Sequence, residues 1–170
     1  DLLIQKQETF HAESEAVYEA GLRSSPWQQS DHTETRVNGE RRHCQVVCNP
    51  VYTSYHTRPK VDRLTALDVL RQGRKRIFLL NEEAFGYLEN VALSKAAQAV
   101  LPQWRSEKVW EETTFMKRLA KALPNLNIQQ RTAILGAAAV AAYHAEKGVP
   151  IVDTLVCDDA SVFHWLTRAM

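Results

Sequence analysis

Two acidic positions carry the most chemistry in this chain. Asp31 sits in Trp27-Gln-Gln-Ser-Asp-His-Thr-Glu-Thr-Arg-Val37, and Asp158 follows the apolar run Ile151-Val-Asp-Thr-Leu-Val-Cys157 with Asp159 beside it. Both segments read as strands. Carboxylates delivered from neighbouring strands are a common way to hold divalent metals for phosphodiester chemistry. Mg²⁺ or Mn²⁺ suits an all-oxygen ligand set of this kind. Taken residue by residue, Asp31 also fits a solvated strand position and Asp158 a helix N-cap.

Other chemistry-bearing residues are less pointed. His32 faces away from Asp31 by strand alternation, and His56 and His164 fit ordinary structural roles. His43, Cys44 and Cys48 hint at zinc. In a straight strand, however, residues four apart are about 13 Å from each other, so buried free thiols are expected instead. The third cysteine, Cys157, leaves an odd number, which with no visible secretory signal points to a reducing compartment.

The elements that must position the two aspartates can be read from pattern. Residues 1–22 form a helix, and Ser24-Ser25-Pro26 breaks it. A strand runs from Trp27 to Val37, and Asn38-Gly39 turns it into a second strand over 42–47. Asn49-Pro50 turns that into a third over 51–57, rich in β-branched and aromatic residues. Helices take over after Pro59. Asp62 caps one bearing Leu64, Leu67 and Leu70, and Arg76–Leu80 reads either as extended or as a helix lead-in. Asn81 opens a helix to about Val100, Ser106 another to Leu123, and Asn127 a third to Lys147 with Gly148 as its stop. The run Gly136–Ala142 is small-residued and expected to be buried. A fourth strand covers 151–157, and a helix begins at Ala160. A helical crossover between the third and fourth strands favours a parallel strand returning to the same sheet.

Composition sets wide bounds. A hydrophobic content of 45% with 24% charged residues is that of an ordinary globular chain. No apolar run reaches the roughly 18 residues of a membrane span. The net charge of +1 does not by itself imply nucleic-acid binding, so basic residues must cluster for that purpose. Arg36, Arg41 and Arg42 form one cluster, and Arg71, Arg74, Lys75 and Arg76 another. Both also fit solvated loops or helix ends. The chain opens Asp-Leu-Leu without an initiator Met, which suggests a piece of a longer protein.

Three motifs in order resemble bacterial insertion-sequence transposases of the Asp-Asp-Glu, ribonuclease-H-like superfamily. Gln29-Ser-Asp-His-Thr-Glu-Thr-Arg-Val-Asn-Gly39 resembles the first catalytic strand. Cys48-Asn-Pro-Val-Tyr-Thr-Ser-Tyr-His-Thr57 with Lys60–Leu70 resembles the third strand and the helix after it. Val156-Cys-Asp-Asp-Ala-Ser-Val-Phe163 resembles the second catalytic motif. His32 stands where the family has an acid, and Glu34 where it has Gly.

The resemblance implies an α/β fold: a ribonuclease-H-like mixed sheet, with a three-strand antiparallel meander plus a parallel fourth strand. Residues 1–26 would be an N-terminal helix, 27–61 with 149–170 a partial catalytic core, and 62–148 a long helical insertion. Asp31 and Asp158 would be the catalytic metal ligands in a two-metal Mg²⁺ (or Mn²⁺) site, with Asp159 a neighbour. The family's fifth strand and Glu-bearing helix are absent from this chain, so it would be inactive alone. Such insertions contact DNA or partner subunits, making double-stranded DNA and a homo-oligomer the expected partners. The implied setting is the bacterial cytoplasm, on the nucleoid when DNA-bound. Two readings compete: a catalytically inactive, transposase-derived interaction or assembly domain, and a small helical binding protein with a minor sheet. The second would leave Asp31 and Asp158 far apart.

Overall fold

The computed structural model describes residues 7–158 and 160–167. The chain divides into two compact units, residues 1–73 with 150–170, and residues 74–149. The first holds α1 (Gln7–Arg23), β1 (Trp27–Val37), β2 (Glu40–Asn49), β3 (Tyr52–Arg58), α2 (Arg63–Leu70) and β6 (Thr154–Val156). The second holds β4 (Ile77–Phe78), α3 (Glu82–Leu88), α4 (Lys95–Val100), a 3₁₀ turn (Leu101–Trp104), β5 (Trp110–Glu111), α5 (Glu112–Ala122) and α6 (Ile128–Ala145). Helix α2 thus belongs with the sheet, although its sequence position groups it with the crossover.

The first unit is built on a mixed four-stranded sheet in the order β3-β2-β1-β6. β1 to β3 are antiparallel, and β6 pairs parallel with β1. Asn38 at φ 51° and Gly39 at φ 81° make the turn expected of Asn-Gly between β1 and β2. Alternation divides the sheet cleanly. Gln28, Ser30, Gln45, Val47 and Asn49 are buried on one face, whereas Trp27, Gln29, Asp31, Thr33, Thr53, Tyr55 and Thr57 are exposed on the other.

The buried face is unusually polar, and its side chains satisfy one another. The Gln28 amide donates to the carbonyls of Leu22 (3.3 Å) and Ser25 (3.2 Å). Its Oε1 accepts from the Tyr52 hydroxyl (2.8 Å) and the Asn49 amide (3.4 Å). The Gln45 amide donates to Ser30 Oγ (3.2 Å), which in turn donates to the Val46 carbonyl (3.1 Å). These bonds tie the end of α1 to the starts of β1 and β3. Gly21 is required here: a Cβ on it would lie 2.5 Å from the Tyr52 ring. Burial pushes the Tyr52 hydroxyl pKa up.

Asp62 caps α2 through the Thr65 N–H (2.7 Å). Burial opposes its ionisation, but Lys60 and Thr65 more than compensate and hold its carboxyl below the usual range. In the second unit, α6 is buried from Ile134 to His144, as its small residues allow. Ala138 has no exposure, and its carbonyl accepts from the Leu79 N–H (2.9 Å). Phe78 stacks on Phe115 at 4.8 Å. His144 Nδ1 meets Glu83 Oε1 at 2.5 Å, and the Tyr87 hydroxyl donates to the same oxygen (2.9 Å).

Several sequence expectations are corrected. The helix opened by Asn81 does not reach Val100; it ends at Leu88, and Ser94 caps a new one. Ser106 opens no helix. Trp110-Glu111 pairs with Ile77-Phe78, and α5 starts only at Glu112. That pairing resolves Arg76–Leu80 as extended, since Phe78 is buried beside Trp110. The helix opened by Asn127 stops at Ala145, with Gly148 at φ 85° further on. The fourth strand is shorter than 151–157. Residues 161–165 are turns rather than a helix, and Trp165 takes φ 74°. A residue at that φ ends helical propagation. No helix among the described residues is long and apolar enough to cross a membrane.

His56 gives the sheet a pH signature. It lies on the less exposed side of β3, 4.5 Å from the Tyr18 ring and 3.0 Å from Ser54 Oγ. Burial, with a smaller contribution from Arg58, lowers its pKa from the ordinary 6.5 to about 4. The unfolded chain therefore binds the extra proton first. Stability is complete above pH 6.5, falls as the pH drops through that window, and the His56 contribution is gone below about 4. The expected loss is about 2 kcal/mol, after discounting for partial exposure. Urea denaturation midpoints at pH 7, 5.5 and 4.5 check this: His56→Gln should flatten the decline, and an equal decline in both proteins would contradict it.

Candidate metal centre

Asp31 is the fifth residue of β1, and its side chain belongs to the exposed face of the sheet. Strong β1–β2 pairing sets that orientation, with Asp31 opposite Val46 and Thr33 opposite Cys44. Asp31 Oδ1 accepts from the His32 N–H at 2.7 Å, which orients the carboxylate.

The position of Asp158 follows from the other neighbour of β1. The parallel register pairs Trp27 with Thr154, Gln28 with Leu155 and Gln29 with Val156. Asp31 lies two residues past Gln29, and Asp158 lies two past Val156. Asp31 thus lies within β1 and Asp158 two residues past the end of β6, each the same number of residues beyond the last β1–β6 pair, and both are exposed. By parity Asp31 belongs to the face that carries Thr154 and Val156. Pairing ends at Val156, so Cys157 and Asp158 continue in backbone that is no longer part of the ladder. The start of β6 is pinned by the Asp153 and Thr154 N–H groups, which both donate to the Pro26 carbonyl (3.0 and 3.1 Å). Asp159 lies outside the described residues.

These donors fit a hard divalent cation. Both are exposed carboxylates, Asp31 on β1 and Asp158 two residues past its neighbour β6, and a cation held by both would neutralise like charges. Among the described residues, no group of three or more His, Cys, Asp or Glu is arranged to hold a metal ion.

The remaining histidines and cysteines fall elsewhere. His32 lies 5.6 Å from the Phe163 ring, with Asp31 on the opposite face. The His164 carbonyl accepts from Arg63 Nε at 2.9 Å. Cys44 and Cys48 are free but only half-buried, not fully buried as expected, because they share the open face with Asp31. Cys157 is exposed. The basic clusters differ from each other. Arg41 and Arg42 pair with Glu34 and Glu40 at the exposed hairpin end, and the hydrogen bond from Arg41 lowers the Glu34 pKa. Arg71, by contrast, is buried at the end of α2.

Comparison with known proteins is sparse. The chain is 26% identical over 144 residues to an uncharacterized protein, y4jO, of Sinorhizobium fredii (strain NBRC 101917 / NGR234). The match takes in 85% of this chain and 44% of the relative, so the chain spans less than half of that protein's length. No family model matches the chain. No solved structure matches it either.

Proposed function

We propose that this chain is part of a DNA transposase with a ribonuclease-H-like core, in which Asp31 and Asp158 are the first two carboxylate ligands of a divalent-metal centre. The observation that supports the reading is the parallel β1–β6 pairing, since Asp31 lies on β1 and Asp158 follows β6 by two residues. The order of the three sequence motifs, quoted above, is consistent with it. A bound Mg²⁺ or Mn²⁺ would activate the attacking oxygen and stabilise the leaving oxygen of a phosphodiester.

The chain's own contribution is positional. Pairing to β2 holds Asp31 on the open face, the His32 N–H orients its carboxylate, and the Pro26 carbonyl anchors the start of β6 ahead of Asp158. Two carboxylates make an incomplete hydrolytic site in this reading. A third, a Glu on a helix after a further strand, would come from the longer protein. The expected partner is double-stranded DNA, with self-association on it, in the bacterial cytoplasm.

The test is cleavage of labelled duplex DNA by the longer protein. Mg²⁺-dependent strand breaks should appear and be abolished by Asp31→Asn or Asp158→Asn, while the 170-residue chain alone should cut little or not at all. Cleavage that survives both substitutions would sink the proposal.

A further inference from the structure

The near-neutral total charge conceals a strong asymmetry. Residues 74–149 contain eleven Lys and Arg against seven Glu, a formal +4, while the remainder carries ten against thirteen, or −3. Within the cationic unit, basic and aromatic side chains interleave. The Arg118 guanidinium carbon lies 4.5 Å from the Trp104 ring centroid and 4.8 Å from that of Trp110. Lys108 Nζ lies 4.5 Å from the Trp110 ring. Each distance is within cation–π range.

What distinguishes Arg118 is the state of its donors. Arg105 also packs on an aromatic ring, Phe85, but it is engaged by Glu82 at 2.9 Å. Arg76 is engaged by Glu112 at 3.3 Å. Arg118 has ring contacts but no hydrogen bond or carboxylate partner among the described residues, and it is only half-buried. A guanidinium fixed on indole faces has lost much of its rotamer freedom while keeping its N–H fork, which makes it a preorganised receptor for phosphate oxygens. Lys117 and Lys121 are exposed on the same helix, with Lys121 three residues from Arg118 and so on its side of the helix. Glu107, Glu111 and Glu112 are the acids nearest in sequence; Glu112 is engaged by Arg76, and the local balance remains positive.

We infer that Arg118, held by Trp104 and Trp110 and flanked by Lys108 and Lys121, forms a docking surface for the phosphodiester backbone of duplex DNA. The surface rests on the proposed DNA partner but not on the Asp31–Asp158 site. Phosphate contact predicts affinity that is independent of sequence and dependent on salt.

The experiment is fluorescence anisotropy of a labelled mixed-sequence duplex titrated with the full chain over a series of salt concentrations. Arg118→Ala should weaken binding on the order of tenfold at low salt. It should also lower the slope of log affinity against log salt by about 0.9, one phosphate contact. Arg118→Lys, which keeps the charge and the aliphatic stem, should retain the slope and lose part of the affinity. If Arg118→Ala does not fold, Arg118→Gln should show the same loss. Arg105→Ala removes an equal charge whose donors are already engaged, so it should change both quantities much less. No binding by the unsubstituted chain, or equal slopes for Arg118→Ala and Arg105→Ala, would overturn the inference. Asp31→Asn should leave duplex binding intact. Binding through Arg118 without any metal response would therefore retire the catalytic reading alone.

Discussion

Mn²⁺ or Mg²⁺ should raise the melting temperature of this chain, and replacing either Asp31 or Asp158 by Asn should remove that stabilisation. In the proposed site two ionised carboxylates would repel, and a cation between them would relieve that cost. Binding to the native state alone, at a hundredfold excess over Kd, contributes about 2.7 kcal/mol, or about 5–10 °C in Tm for a chain of this size. Each Asn variant loses a ligand and a charge, so its metal-induced shift should fall close to zero. Its metal-free Tm should be unchanged or higher, because the repulsion is gone. Asp153→Asn is the control. Asp153 is also exposed and close to β6, but it has the opposite strand parity to Asp158. Differential scanning fluorimetry across a metal titration reads all three variants. Equal shifts in Asp31→Asn and Asp153→Asn would remove Asp31 from any metal site.

The second large effect is expected from Gln28→Leu. Leu is close in size and would gain from burial, yet it can replace none of the bonds at this fully buried position. The Tyr52 hydroxyl would lose its 2.8 Å acceptor, and the Leu22 and Ser25 carbonyls would lose a donor. Asn49 would keep Ser24 Oγ at 3.0 Å. Each stranded buried group costs about 1–3 kcal/mol, so a net loss of about 3 kcal/mol is expected after the apolar gain. Adding Tyr52→Phe removes one stranded donor and should recover part of that loss, which makes the pair non-additive. Urea denaturation of the single and double variants measures it. A neutral Gln28→Leu would mean that the network contributes nothing to folding.

The sheet was legible because its signals are local. Asn38-Gly39, Asn49-Pro50 and period-two alternation mark β1 to β3, and the long crossover marks β6 as parallel. The same alternation placed Asp31 and His32 on opposite faces. The helical segment was harder to divide. Nothing in residues 88–95 breaks the helical pattern as strongly as Pro or Gly would, yet Ser94 caps a new helix there. Trp110-Glu111 is a strand only because Ile77-Phe78 pairs with it, 33 residues earlier. The polar network around Gln28 was hidden for a related reason. A Gln at a buried strand position looks like a solvent residue until Tyr52 and Asn49, from other strands, are seen to close on it. For the candidate site, the two carboxylates are readable in the sequence but the strand pairing near them is not, because the β1–β6 register joins positions 127 apart in the chain. The Arg118 cluster had one readable signal: charge counted by segment rather than over the whole chain.

The central claim is that Asp31 and Asp158 share a divalent cation. Its most direct test is a crystal of the chain soaked in Mn²⁺ and measured for anomalous scattering. The account predicts a peak between the two carboxylates, within ordinary coordination distance of about 2.0–2.2 Å from an oxygen of each. No peak at saturating Mn²⁺, with the carboxylates more than about 10 Å apart and so beyond the reach of a shared or bridged pair of ions, would contradict it.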